Sequence, residues 1–260
     1  MVTEILRPMT VQEALKARAL PGAVFLGGGT WLNARKHAEP LTLVSLEKLG
    51  LDSIHRHGGR CVIGAMATFQ QIIDNPDVPA ALRNAAGLTA SRTLRNMMTM
   101  GGEVALHPAD SALIPLLMAM EAEVTLAGKK RPVALKDILS GGAESLILSV
   151  AIPEPGRPAA VRALSRTSHS PRSLVVAAIA SALHPAVKGL RIVASDCGGT
   201  PVRLLKLEAA LEGKTLPPPA EIERLAGNEF SPASDIHGSS LYKAYMTRVL
   251  VADALQGAGP

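Results

Sequence analysis

Aromatic residues make up only 2% of these 260 residues: one Trp, two Tyr and three Phe. That scarcity removes the stacking platforms on which single-stranded nucleic acid is usually held. The net charge is +5, but Lys and Arg are scattered along the chain rather than gathered in a stripe. A nucleic-acid interface is therefore excluded, and the mild positive balance suits an anionic ligand or an acidic partner. Cysteine is also scarce. Cys61 and Cys197 cannot supply the four ligands of an iron–sulfur cluster or a closed zinc site. Each sits in an apolar segment and reads as a buried free thiol. No run approaches the ~20 apolar residues of a membrane span. The segment Met1 to Arg7 carries Glu4 and Arg7 and lacks an apolar signal core, so the expected location is the cytoplasm.

Familiar hydrolytic and metal-binding patterns are missing as well. No G-x-S-x-G elbow occurs, and no histidine pair has H-x-x-x-H or H-E-x-x-H spacing. His55-x-His57 lies in a turn and reads as solvated. No metal site and no general acid or base is expected.

What is present is glycine in a particular setting. Gly27-Gly28-Gly29-Thr30 directly follows the apolar run Ala23 to Leu26, and Thr99-Met100-Gly101-Gly102-Glu103 follows Leu94-Arg95-Asn96. Consecutive glycines let backbone turn tightly and approach a ligand with no Cβ in the way. Their N–H groups can form an anion nest, reinforced by a following helix. Two such turns could hold a diphosphate from two sides, which points to a dinucleotide. The first turn lacks the third glycine of G-x-G-x-x-G and is not a P-loop. Plain turns remain the alternative for any single pair, as at 58–59 and 141–142; a further pair, Gly198-Gly199, also occurs.

The first fifty residues alternate helix and strand signals. Thr10 to Glu13 is a capping box, Ala23 to Leu26 a buried strand, Trp31 to Lys36 a short helix, and Leu41 to Val44 a second strand. A small parallel βαβ-type sheet is expected. The next block holds strands at Cys61 to Gly64, Val124 to Leu126, Pro132 to Ala134 and Leu146 to Ile152. Helices there are expected at Val78 to Leu88 and Ser111 to Met120, and Thr68 caps another. Asp110 reads as the cap of the Ser111 helix, or as a carboxylate accepting ribose or ribityl hydroxyls. Arg95-Asn96 could contact an anion or fix a loop. Pro153-Glu154-Pro155-Gly156 is the best linker. Beyond it, Val161 to Leu164, Leu174 to Ala182 and Leu190 to Ala194 form a meander, followed by helices at Leu204 to Leu211, Glu221 to Leu225 and Leu241 to Leu255. The division expected is 1–52, 53–156 and 157–260.

These residues resemble a known family. Leu26 to Leu32 is similar to the "A-G-G-T-D-L" turn, and Leu94 to Glu103 to the "V-R-N-x-x-T-I-G-G-N" segment, of the FAD-binding medium subunits of molybdenum hydroxylases such as xanthine dehydrogenase and carbon monoxide dehydrogenase. Ile63 to Thr68 resembles "I-G-A-x-x-T", Pro108 to Leu117 "P-x-S-D-x-x-P-x-L-L", and Leu146 to Pro153 "E-I-L-x-x-I-x-I-P". Gly199 to Gly213 and Asp235 to Lys243 resemble "P-x-R…E-x-x-L-x-G" and "D-x-x-G-S-x-x-Y-R-R", so the likeness spans the chain in order.

The resemblance implies an α+β fold: two FAD-binding subdomains, one small and parallel and one larger and mixed, then a C-terminal antiparallel sheet with helices. It implies FAD as cofactor. Leu26, Gly27, Gly28, Gly29, Thr30 and Trp31, with Thr99, Met100, Gly101, Gly102 and Glu103, would hold the pyrophosphate. Asp110 would reach the ribityl or isoalloxazine side, and Ile147 and Leu148 would line the ring. Electrons would arrive from an iron–sulfur (2Fe-2S) small subunit and a molybdopterin large subunit and leave to NAD or another acceptor, in an oxidoreductase complex. A cofactor-free assembly module and a stand-alone flavin oxidoreductase are the alternatives. Three positions depart from the family: Trp31 replaces Asp, Glu103 replaces Asn, and Ala163 replaces a lysine near the flavin. Arg162 or Arg166 could cover the displaced cation.

Overall fold

The computed structural model describes residues 2–36, 39–167, 170–197 and 199–258; Gly198, named above, lies outside them. The first element group is β1 (Val2–Leu6), α1 (Val11–Arg18), β2 (Ala23–Leu26), α2 (Thr30–Asn33) and β3 (Leu41–Ser45). The strands form an all-parallel sheet in the order β1-β3-β2. Thr10 caps α1 by accepting from the Glu13 N–H at 3.2 Å. The Glu13 carboxylate accepts from the Met9 N–H at 2.8 Å, one residue ahead of a standard capping box. Strand β1 had no apolar signature, because it is an edge strand exposed over most of its length.

The second group is β4 (Ile54–His57), β5 (Arg60–Gly64), α3 (Phe69–Asp74), α4 (Ala80–Thr89), α5 (Arg92–Arg95), α6 (Met100–Leu106), α7 (Leu113–Ala119), β6 (Glu123–Leu126), β7 (Val133–Ala134), α8 (Leu135–Gly141) and β8 (Ile147–Pro153). Its strands pair antiparallel in the order β4-β5-β8-β6-β7. Gly58 and Gly59 have φ of +56° and +75°, the left-handed geometry that a tight hairpin between β4 and β5 requires. Thr68 caps α3 in a full capping box with Gln71.

The third group is β9 (Ala159–Ser165), β10 (Arg172–Ile179), β11 (Arg191–Asp196), β12 (Val202–Arg203), α9 (Leu205–Leu211), α10 (Pro219–Ala226) and α11 (Ser240–Gly257). The strands form an antiparallel sheet in the order β12-β11-β10-β9. Strand β10 is buried along its whole length because both faces of the sheet are covered. Val175, Ala177 and Ile179 enter the core built by α3, α4, α6 and α7. Leu174, Val176 and Ala178 enter a second core with α9, α10 and α11. The period-two alternation of one apolar strand thus couples the middle and C-terminal segments. A third, smaller core joins the parallel sheet to Ala127, Leu146 and Leu148.

Candidate functional site

The site is built around the turn between β2 and α2. The Leu46 N–H donates to the Leu26 carbonyl at 3.0 Å, fixing the end of β2, and the Asn33 N–H donates to the Gly29 carbonyl at 2.9 Å. Gly29 is left-handed, with φ +71°. The turn lies against the second glycine segment. A Cβ at Gly28 would stand 1.4 Å from the Met97 carbonyl oxygen, and one at Gly27 3.1 Å from Thr99 Oγ1. The fold therefore brings together two motifs separated by about seventy positions in sequence.

Their backbones offer different things. Among the described residues, the amides of Gly27, Gly28, Gly29 and Thr30 donate to no protein acceptor. The second segment is not an open turn, which corrects the expectation of two equivalent nests. Thr99 is the N-cap of α6, and Gly101 and Gly102 lie in its first turn. The Met100 N–H donates to the Ala67 carbonyl at 3.0 Å and the Gly101 N–H to the Ala65 carbonyl at 2.8 Å. The Gly102 N–H donates to Thr99 Oγ1 at 3.2 Å, and the Glu103 N–H to the Thr99 carbonyl at 3.0 Å. Glycine is needed at 101 for packing: a Cβ there would lie 2.8 Å from the Ala65 Cβ. Met100 is fully buried in the core. The open row of donors is therefore Gly27 to Thr30, and the 97–103 segment is the wall behind it.

Trp31, the second residue of α2, is 38% exposed, and the Arg35 guanidinium lies 4.3 Å from its ring centroid. Leu26 is half-buried. Ile147 and Leu148 are neighbours on β8 and face opposite ways. Ile147 is buried in the large core, whereas Leu148 packs beside Phe25 and Met66 under the parallel sheet. Only Leu148 is thus directed to the junction that carries the glycine turn.

Glu103 is buried and accepts from the Ser111 hydroxyl. Burial pushes its carboxyl up to about 7. The Ser111 hydrogen bond opposes that shift, Asp110 adds to it and Arg172 opposes it. The neutral acid dominates below that pH, so its charge weighs less on an anionic ligand than a free carboxylate would.

Asp110 does not cap α7, which corrects the sequence expectation. Ala112 occupies the N-cap position without a side-chain bond, and Ser111 Oγ accepts from the Leu113 and Ile114 N–H groups at 3.1 and 3.0 Å. Asp110 instead meets Arg172. The guanidinium donates to the Asp110 carbonyl at 2.7 Å, to its carboxylate at 3.3 Å, to the Thr89 carbonyl at 3.1 Å and to the Leu88 carbonyl. Arg172 begins β10, where the register with β9 shifts before Leu174. Such an irregularity re-aims a side chain, here toward α4 and the 108–111 loop. No sequence pattern marked Arg172.

Arg95 fixes a loop: it donates to the Gly87 and Ala90 carbonyls at 3.2 and 2.8 Å and to Gln70 at 3.3 Å. The suggested replacement cations also lie elsewhere. Ala163 packs toward the large core, so its neighbour Arg162 points to the other face and pairs with Asp253 on α11 at 2.8 Å. Arg166 is exposed and donates to the Ile236 carbonyl at 3.2 Å. The buried cation that reaches the 108–111 loop is Arg172. Beside that loop, a cleft of about 300 Å³ is lined by His107, Ser111, Leu139, Ser195, Cys197 and Thr200. Cys197 is half-buried rather than buried, and Cys61 is buried; both are free.

Residues 1–155 match the family described as the FAD binding domain in molybdopterin dehydrogenase. The chain belongs to the FAD-binding medium subunits of molybdenum hydroxylases. Residues 159–258 match the CO dehydrogenase flavoprotein C-terminal domain. The chain is 36% identical to the uncharacterized protein YgfM of Escherichia coli (strain K12), over 97% of this chain and 95% of that protein. It is 27% identical to the carbon monoxide dehydrogenase medium chain of Hydrogenophaga pseudoflava, over 96% of this chain and 95% of the other. A solved Cu,Mo-CO dehydrogenase superposes with a TM-score of 0.88 at 26% identity, covering 99% of this chain and 98% of its counterpart. Quinoline 2-oxidoreductase from Pseudomonas putida 86 shares the fold, with a TM-score of 0.87 over 98% of this chain and 97% of its own, at 24% identity. This medium subunit is therefore an FAD-dependent oxidoreductase subunit of α+β fold. Among the described residues, no helix is long and apolar enough to cross a membrane.

The residues present fit the cofactor at one place above all. The open amides of Gly27 to Thr30 suit a diphosphate, and the close approach of Gly28 to Met97 leaves no room for a side chain on that wall.

Proposed function

We propose that this medium subunit carries electrons from an iron–sulfur (2Fe-2S) small subunit and a molybdopterin large subunit to NAD or another acceptor, in the cytoplasm. The observation that carries the reading is the row of unpaired amides at Gly27 to Thr30, set against the Met97 to Thr99 wall. FAD, when bound, supplies the electron-carrying chemistry.

The chain's own residues bind and orient. Gly27, Gly28, Gly29 and Thr30 donate to the diphosphate, and Leu26 and Trp31 flank it. Thr99, Met100, Gly101 and Gly102 hold the wall, and Glu103 stands behind it as an acid that is mostly neutral below about pH 7. Asp110, fixed by Arg172, faces the ribityl or ring side, and Leu148 lines it. Ile147 supports Leu148 from the core side. The division 1–52, 53–156 and 157–260 is proposed with it, supported by one sheet falling in each segment.

The test is purification of the tagged chain from its own cells, with flavin, iron and molybdenum measured per chain. Stoichiometric FAD together with iron and molybdenum is expected. FAD without either metal sinks the partner reading, and a colourless chain that refuses added FAD returns the weight to a cofactor-free module.

A further inference from the structure

The cleft beside the 108–111 loop has a volume of about 300 Å³. None of the residues that line it belongs to the Gly27–Thr30 turn or to the 97–103 wall. It lies between the middle segment, through His107, Ile114, Pro115 and Leu139, and the C-terminal sheet, through Ser195 and Cys197.

Ser195 sets the chemistry of the cleft. On β11 it follows Val193 by two residues and stands directly opposite Val175 on β10, and both valines enter the large core. Alternation sends Ser195 to that same face, where it meets the cleft. The residue is only 4% exposed, yet among the described residues its hydroxyl has no protein partner. A buried polar group left unpaired is costly and uncommon in native proteins. Two other lining side chains are already spent. The Cys197 thiol donates to the Arg172 carbonyl at 2.7 Å. Ser111 Oγ donates to Glu103 and accepts from the Leu113 and Ile114 N–H groups. His107 and Thr200 stand at the exposed rim, and His107 is placed there by a left-handed backbone, φ +32°, at the C-cap of α6.

Charge and shape narrow the occupant. Among the described residues that line the cleft there is no Asp, Glu, Lys or Arg. The charged groups just outside it are already paired: Arg172 with Asp110 and backbone carbonyls, and Asp196 with the Ala233 N–H at 3.1 Å and the Lys243 ammonium at 4.0 Å. An anion would enter without a base and a cation without a carboxylate, each desolvated with nothing to offset it. A phosphate-bearing ligand is excluded on the same ground. The rest of the lining is apolar, from Pro108, Ile114, Pro115, Leu139 and Pro201. Apolar walls with a few placed polar groups are the make-up of a small-molecule site. A hydroxyl both donates and accepts, so Ser195 suits a group that offers both, as a carboxamide or lactam edge does.

We propose that this cleft is a second ligand site, for a small uncharged ring compound whose carboxamide or lactam edge is bound by Ser195. The site is independent of the electron-transfer reading above, because it uses no part of the glycine turn. The test uses the full chain as purified, with the cofactor it retains, and probes of one shape and different charge: benzamide, benzoate and benzamidine. Ligand-observed NMR titrates each against wild type, Ser195→Ala, and Thr200→Trp, which fills the mouth from the exposed rim. Flavin content and melting temperature are followed alongside. Benzamide alone is expected to bind, in the millimolar range of so small a fragment. Ser195→Ala should weaken it about tenfold, the loss of one hydrogen bond, without lowering the melting temperature, because the hydroxyl supports no other protein group. Thr200→Trp should abolish binding with flavin content unchanged. Benzoate or benzamidine bound as tightly as benzamide overturns the uncharged class. Benzamide bound equally by wild type and Ser195→Ala, benzamide that releases flavin, or no binding at all, with water alone filling the cleft, overturns the site.

Discussion

Gly28 and Met97 touch backbone to backbone: a Cβ on Gly28 would stand 1.4 Å from the Met97 carbonyl oxygen and 2.4 Å from its carbon. Neither atom belongs to a side chain that can swing aside. Gly28→Ala must therefore push the turn off the wall, at about 1–3 kcal/mol or more, and displace the open amides. Loss of FAD with a lowered denaturation midpoint is expected. Gly87→Ala is the counterpart: nothing lies within 4 Å of its added Cβ, and it sits inside α4. That change should raise stability by roughly 0.5–1 kcal/mol and leave flavin untouched. Equal flavin content in the two variants would contradict the wall.

The sequence made the glycine turn legible because a strand of four apolar residues, a turn and a helix follow one another locally. It could not show that the second motif's amides are spent, since their acceptors, Ala65 and Ala67, lie more than thirty positions away. Most strands and helices announced themselves by alternation or caps, as at Thr10 and Thr68. Strand β1 and strand β4 did not, because each is an edge with few buried residues. Arg172 was silent for a different reason. Its aim depends on a register shift between two strands, which is a property of pairing and not of any short motif.

Glu103 predicts a pH dependence with a definite sign. Its carboxyl is raised from 4.5 to about 7 by burial, so the native state holds a proton that the unfolded chain releases at lower pH. The resulting stabilisation is fully present below about 4.5 and is lost as pH rises through about 7. The change is on the order of 3 kcal/mol across that window. Glu103→Gln keeps an acceptor for the Ser111 hydroxyl and cannot ionise. Wild type minus variant stability, from urea unfolding at stepped pH, should fall between pH 4.5 and 8. Parallel curves would show that the carboxyl ionises freely.

Arg172 ties three backbone carbonyls and one carboxylate to the start of β10. Arg172→Met leaves those carbonyls without a donor in a crowded junction, at roughly 3 kcal/mol or more. Arg172→Lys should recover little, because a single ammonium cannot reproduce the fork of Nε, Nη1 and Nη2. Hydrogen exchange should quicken at the end of α4 and through residues 108–111 in both variants, with the parallel sheet unchanged. A lysine variant as protected as wild type would reduce the contact to charge alone.

Ser111 and Asp110 stand side by side with separable roles. Ser111 Oγ receives the Leu113 and Ile114 amides and donates to Glu103, all within buried surroundings. Asp110 holds Arg172 from a side chain that is 36% exposed. Ser111→Ala should therefore cost about 1–2 kcal/mol through the lost cap and shift the Glu103 titration further upward, since the hydrogen bond that favours its charged form is gone. Asp110→Asn should leave the start of α7 intact and lower the Glu103 value, by removing a neighbouring negative charge. Carboxyl NMR titration of Glu103 in the two variants reads both effects at once. Shifts of opposite direction are expected, and a downward shift in Ser111→Ala would overturn the role given to its hydroxyl in favouring the charged form of Glu103.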